Sequence, residues 1–65
     1  MRGVVKMFKS ERGYGFIERD QQSDLFFHVK SIVSPTLPQP GELVEFDIGR
    51  DERSGKDHAV GVRVV

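Results

Sequence analysis

Apolar and polar residues alternate along much of this 65-residue chain, and a period of two is typical of strands with one buried face. The clearest example is Val44, Phe46 and Ile48, which alternate with Glu45 and Asp47. Segments of this kind predict five strands, at about residues 3–9, 14–19, 24–29, 42–48 and 58–64. No segment keeps a period of 3.6 residues for the length of a stable helix. We therefore predict an all-β domain.

Turn-forming residues separate the predicted strands. Residues 10–13 predict a tight turn and residues 20–23 a polar loop, so the first three strands should form a meander. A short helical turn is predicted at residues 31–33. Residues 34–41 contain all three prolines and should form a loop, because proline cannot donate a ladder hydrogen bond. Residues 49–57 are highly charged and contain Ser54-Gly55, which predicts a mobile loop.

Five short strands in so short a chain favour a small antiparallel barrel, because closure removes the exposed sheet edges. We expect a single domain over residues 1–65, and a chain of this size buries only roughly 60% of its unfolded surface. The predicted core contains the inward-facing apolar residues, with Val64 also facing inward. These core residues are Val5, Ile17, Leu25, Phe27, Ile32, Val44, Phe46, Ile48, Val60 and Val62.

Five of the six aromatic residues lie within the first 27 positions. Tyr14 and Phe16 share one face of the second strand, with only Gly15 between them, and Phe26 and His28 share one face of the third. Two neighbouring strands of this kind form a solvent-facing patch of rings. Bases of unpaired nucleic acid stack on such rings, at about 1–3 kcal/mol per base. The pattern therefore predicts binding of single-stranded nucleic acid.

Charge changes this prediction only slightly. The formal net charge is zero, which argues against a protein that binds phosphates by bulk charge. Residues 1–30 nevertheless carry six basic and four acidic side chains, whereas residues 31–65 carry four basic and six acidic ones. The positive half is the half that contains most of the rings, as a nucleic-acid-binding face requires.

Several classes of chemistry are not expected. The chain has no cysteine, which removes disulfides and thiolate metal sites, and its two histidines are too far apart in sequence to suggest zinc. No nucleophile or partner carboxylate stands at a recognisable spacing from His28, so we predict no enzyme, cofactor or metal. No apolar run is long enough to cross a membrane and no signal peptide is visible, so the cytoplasm is the expected compartment.

Residues 6–18, KMFKSERGYGFIE, resemble the first strand, the turn and the first RNP motif of the cold-shock domain, a five-stranded OB-fold barrel. Residues 24–29, DLFFHV, resemble its second RNP motif. The resemblance covers nearly the whole chain. It implies binding of single-stranded RNA or DNA and, as in many members, an RNA-chaperone activity without ATP. The contact residues that it implies are Lys6, Phe8, Tyr14, Phe16, Phe26 and His28, with Lys9, Arg12 and Lys30 near the phosphates.

The chain also departs from the family pattern. Met7 stands where the family usually has a stacking tryptophan, and Val29 where many members have another aromatic residue. The proline-rich loop is shorter than usual and contains no aromatic residue. We therefore expect weaker binding than in a member with all of its rings, because each absent ring loses about 1–3 kcal/mol.

The first strand contains a conflict between alternation and resemblance. Strict alternation places Val5 and Met7 on one face and Lys6 and Phe8 on the other. The resemblance instead implies that position 7 is exposed alongside Lys6. A β-bulge or strong coiling of the strand would reconcile the two.

Two other interpretations remain open. OB barrels serve many partners, and one alternative is a protein-interaction module, which zero net charge and the missing rings favour. Alternatively, it is the amino-terminal domain of a larger protein, such as an enzyme or a membrane protein. Our main prediction is a monomer whose partner is single-stranded RNA or DNA, with no membrane association and no small-molecule substrate.

Overall fold

The computed structural model describes residues 1–65 and contains five strands, β1 to β5. Their bounds are Arg2–Lys9, Tyr14–Glu18, Leu25–His28, Leu43–Arg50 and Asp57–Val64. They close a barrel in the order β1-β2-β3-β5-β4. The β3–β5 pair is parallel and the other pairs are antiparallel. The predicted five-stranded, all-β, OB-type barrel is confirmed, with one parallel pair in it. None of its helical structure is long and apolar enough to span a membrane.

The only helical segment is one turn of 3-10 helix at Val29–Ser31, two residues earlier than predicted. The His28 side chain determines where it begins, because its Nδ1 accepts a hydrogen bond of 3.1 Å from the Lys30 N–H. A side chain that satisfies a free N–H in this way caps the start of a helical turn. The sequence shows the imidazole but not that it folds back on its own backbone.

The β4–β5 hairpin extends further than predicted, and only residues 51–56 form its loop. Arg50 lies opposite Asp57 at the last position of the ladder. Their Nε and Oδ1 atoms are 3.5 Å apart. The two charges oppose each other across the strands, and opposite charges at such positions favour pairing. Arg50 and Asp57, whose charges contributed to the prediction of a loop, therefore belong to the strands.

A β-bulge in β1 settles the conflict between alternation and resemblance. Val5 lies opposite Ile17 and Met7 lies opposite Phe16, which leaves Lys6 as the extra residue of β1. An extra residue reverses the alternation that follows it. Position 7 therefore lies on the outer face of the barrel beside Phe16.

A second bulge lies in β5. The β4–β5 ladder advances two residues along β4 where it advances three along β5. Gly61 has a φ of 60°, a left-handed conformation that glycine adopts readily. As a result, Ala59 and Val62 are both fully buried although they are three residues apart. Val60 is only half-buried, and its predicted place in the core was wrong.

The core consists of eight buried apolar residues: Val5, Ile17, Leu25, Phe27, Val44, Phe46, Ala59 and Val62. Pro38 of the proline-rich loop is also buried. Ile32 and Val64 are half-buried against this core. The prediction of Ile48 as a core residue was wrong, since 38% of it is exposed. The β1–β4 ladder ends at Glu45, so β1 does not pair with the part of β4 that carries Ile48.

Candidate nucleic-acid interface

Strands β2 and β3 bring four of the predicted contact residues to one face. Tyr14 lies opposite His28, and Phe16 lies opposite Phe26. Directly opposed residues of an antiparallel pair project from the same side of the sheet. The core residues that alternate with them are buried, so these four side chains lie on the outer face of the barrel.

Tyr14, Phe16 and Phe26 contact one another and form a three-ring cluster. The Tyr14 and Phe26 rings are stacked, with centroids 5.7 Å apart and planes 25° apart. Phe16 meets the other two edge-on, at 5.8 Å from Phe26 and 6.1 Å from Tyr14. These separations lie within the preferred range for aromatic pairs. Phe26 is 37% exposed and the other two are half-buried, so the cluster presents ring surface to solvent.

The core supports this cluster from beneath. Gly15, between Tyr14 and Phe16 in sequence, lies opposite Phe27 on the inner face. A Cβ atom at Gly15 would lie 2.7 Å from the Phe27 ring and 2.5 Å from the backbone oxygen of Met7. Such contacts are too short for any side chain. The absence of a side chain therefore allows a core ring to pack directly under the outer cluster.

Phe8 is not part of the cluster. It lies opposite Gly15, and its ring stacks on that of Phe27, with centroids 5.7 Å apart and planes 19° apart. It is half-buried against the core. The bulge at Lys6 is the cause, because it turns Phe8 inward and Met7 outward. The structure thus places Met7, rather than Phe8, beside the cluster.

His28 is exposed at the edge of the cluster, opposite Tyr14. Its Nδ1 accepts the hydrogen bond from the Lys30 N–H, so the proton of a neutral ring lies on Nε2. That bond also holds the imidazole in one orientation. The side chain therefore offers both a ring face and a fixed donor.

Three of the predicted phosphate contacts carry free charge. Lys9 lies opposite Tyr14 on β1, and Arg12 and Lys30 are also exposed. None of the three takes part in the ion pairs of the chain. An exposed cation without a carboxylate partner is available to a phosphate group.

Lys6 differs, because its Nζ lies 2.9 Å from Oδ2 of Asp24. The hydrogen bond to this carboxylate and its negative charge raise the pKa of Lys6. The lysine is therefore charged but already engaged. Arg2 and Arg63 are likewise paired with a carboxylate, since both form ion pairs with Glu45. The hydrogen bond from Arg63, followed by that from Arg2, lowers the pKa of that glutamate.

A cleft of about 440 Å³ adjoins the cluster. Phe26 and His28 line it from β3, and the β4–β5 hairpin lines the opposite side; the further lining residues are Ser31, Asp51, Ser54, Lys56, Asp57 and His58. No motif of the sequence gives a role to His58, for which surface solvation is the default expectation. The structure places it opposite Phe26 through the parallel pairing of β3 and β5. Nothing local in the sequence signals that pairing. No group of three or more His, Cys, Asp or Glu side chains is placed to hold a metal ion.

The whole chain matches a known protein family. The family model described as the 'Cold-shock' DNA-binding domain matches residues 1–65. The chain belongs to the cold-shock domain family. The resemblance inferred from the two RNP-like segments is therefore confirmed. Cold-shock domains bind nucleic acid, so the chain belongs to a family of nucleic-acid-binding proteins.

Individual relatives agree with this assignment. A cold shock-like protein of Thermotoga maritima is 41% identical over all of this chain and 98% of its own length. The cold shock protein CspA of Rhizobium meliloti is 38% identical over 94% of this chain and 93% of its own. A solved structure of Drosophila Unr CSD456 superposes with a TM-score of 0.79 at 21% identity, over 98% of this chain and 26% of that one. At that identity the superposition supports the fold alone.

Proposed function

We propose that this cold-shock domain binds single-stranded RNA or DNA by stacking bases on the three-ring cluster. The observation that carries the proposal is the cluster itself, three mutually packed rings on the outer face of neighbouring strands. Unpaired bases stack on such rings without strong sequence preference, because every base has a π-face. His28 adds a fourth ring at the edge of the cluster.

The cations around the cluster bind the backbone of the strand. Lys9, Arg12 and Lys30 contact phosphates directly, since no carboxylate of the chain holds them. Lys6 contributes only after it exchanges Asp24 for a phosphate. Phe8 has the smallest direct part among the aromatic residues, because its ring stacks on Phe27.

Binding of this kind supports a chaperone-like activity without a covalent step. The domain captures bases while a hairpin is open and has no comparable contact for paired bases, which are hidden in the duplex. A preference for one state is sufficient to shift the equilibrium toward it. We expect the bound form to be a monomer. It holds the strand weakly, because no tryptophan stands at position 7 and no aromatic residue at position 29.

An NMR titration with heptathymidine tests the proposal. We expect the ring and amide signals of Tyr14, Phe16, Phe26 and His28 to shift in a saturable way. Signals of Leu43, which lies on β4 outside the cluster, should remain unchanged and serve as the internal control. Absence of any shift at millimolar oligonucleotide would reject the proposal. Shifts confined to Leu43 and its neighbours would place the nucleic-acid site on another face and reject the cluster as the stacking surface.

The number of free cations predicts a shallow dependence of affinity on salt. Two to four phosphate contacts, with three as the central count, give a slope of log affinity against log salt near −2 for a single strand. The Asp24→Asn variant frees Lys6 and should steepen the slope by about one phosphate contact. Fluorescence titrations at four or five salt concentrations provide the measurement. A wild-type slope that corresponds to eight or more phosphates would contradict this count.

A further inference from the structure

We propose that His58 is a further base-stacking residue, which extends the interface from β3 onto β5, and that the adjoining cleft receives one base. This inference rests on the proposed binding of single strands. Every other residue of the stacking surface lies on β1 to β3. His58 belongs to β5, about thirty positions further along the chain than Phe26.

The strand register places His58 in line with the cluster. Met7 lies opposite Phe16 and Phe16 opposite Phe26. Phe26 lies opposite His58, and His58 lies opposite Gly49. Because directly opposed residues share a face, these five positions form one row across all five strands on the outer face of the barrel. The imidazole thus continues the line of rings that begins at Phe16.

Gly49, at the end of this row, has no side chain and so leaves space for the imidazole of His58. A Cβ atom at Gly49 would lie 3.2 Å from Nε2 of His58 and 3.5 Å from its Cε1. A Cβ atom there would also lie 3.0 Å from Cγ1 of Val60, so a side chain at position 49 would require both neighbours to shift slightly. His58 itself is half-buried, so its ring is held against the sheet while part of it stays accessible. Imidazole rings are among the side chains on which splayed bases stack.

The cleft beside His58 is better suited to a base than to a phosphate. Its volume of about 440 Å³ lies within the roughly 300–1,000 Å³ of small-ligand pockets. Asp51 and Asp57 line it, with only Lys56 as a permanent positive charge. These two carboxylates, of which Asp57 also pairs with Arg50, disfavour a phosphate group in the cleft. The same carboxylates, together with the imidazole and hydroxyl groups of the cleft, can hydrogen-bond the edge of a base.

Binding of heptathymidine and of trithymidine by the variants His58→Ala and His58→Phe tests this inference. Loss of one stacking contact should weaken heptathymidine binding to His58→Ala by about five- to tenfold. His58→Phe keeps a ring and should bind within about twofold of the wild type. Trithymidine covers only the three-ring cluster, so the wild type and His58→Ala should bind it equally. Thermal unfolding of each variant measures the folded fraction independently.

NMR of the unmodified protein provides a second measurement that needs no folded variant. The ring protons of His58 should move upfield when heptathymidine binds, because a stacked base shields them. If Tyr14, Phe16 and Phe26 respond and His58 does not, the inference is wrong while the proposed function stands. A His58→Phe variant that is folded and as weak as His58→Ala would also overturn it. If no signal of the protein responds, the proposed function fails as well.

Discussion

Replacement of Phe26 by alanine is expected to weaken heptathymidine binding by about tenfold or more, while the folded barrel is retained. Phe26 contacts both other rings of the cluster, at 5.7 Å from Tyr14 and 5.8 Å from Phe16. Truncation therefore removes one stacking surface and also the packing that holds the other two. The loss of a single base contact is worth about 1–3 kcal/mol, and loosening of the remaining rings adds to it. Fluorescence or calorimetric titration measures the effect.

Stability should change little in the same variant. Phe26 is 37% exposed and lies outside the buried core, so its removal leaves no cavity inside the barrel. Surface substitutions of this kind usually change the free energy of unfolding by much less than core truncations. Thermal unfolding should therefore show a small shift of the midpoint.

Leu43→Ala is the matched control for Phe26→Ala. Leu43 is 41% exposed and lies on β4 opposite Val4, away from the three-ring cluster. The substitution removes a comparable exposed apolar side chain from another part of the barrel surface. Heptathymidine should bind this control as it binds the wild type. Equal losses of affinity in the two variants would mean that general surface apolarity, rather than the cluster, determines binding.

The part of the interface that sequence predicted is the part that local alternation determines. Tyr14 and Phe16 are two residues apart in one strand, and so are Phe26 and His28, which places each pair on one face because neither strand has a bulge between them. The turn at residues 10–13 and the loop at residues 20–23 then bring the two strands together as neighbours. These short-range features also specify the two RNP-like segments that revealed the family.

Bulges account for two departures from strict alternation. A single extra residue at Lys6 exchanges the faces of Met7 and Phe8, and an extra residue in β5 exchanges those of Ala59 and Val60. The sequence shows Gly61 but not its φ of 60°, and glycine is compatible with either sign of φ. Because the side-chain period of a strand is two, one unpaired residue is sufficient to move every later side chain to the other face.

His58 could not be predicted for a different reason. Its position beside Phe26 depends on the parallel pairing of β3 with β5, two strands separated by β4 in the chain. A contact of this kind has no local pattern and follows only from closure of the barrel. The β4–β5 hairpin, in contrast, pairs Gly49 with His58 locally. Local patterns therefore predict the faces of the two RNP-like strands, β2 and β3, but not the position of His58 on β5.

The second large effect is expected at Gly15, where the cluster and the core meet. A Cβ atom there would lie 2.5 Å from the backbone oxygen of Met7 and 2.7 Å from the Phe27 ring. The ring is in the buried core and the oxygen belongs to the backbone of β1, so neither gives way as a flexible side chain would. Overpacking of a buried site costs about 1–3 kcal/mol and occasionally more. We expect Gly15→Ala to lose about 3 kcal/mol of unfolding free energy, most of the stability of so small a domain.

Gly55→Ala separates this contact effect from the general cost of replacing a glycine. Gly55 has a φ of 70° and no atom within 4 Å of its hypothetical Cβ, so alanine there costs only the left-handed backbone strain of about 1–2 kcal/mol. Gly15 has no positive φ, and its entire penalty arises from packing. Urea unfolding of the two variants should therefore rank Gly15→Ala as clearly the less stable, with a corresponding loss of heptathymidine binding. If Gly15→Ala proved as stable as Gly55→Ala, Phe27 could move away at low cost, and the core would not be what holds Tyr14 and Phe16 in place.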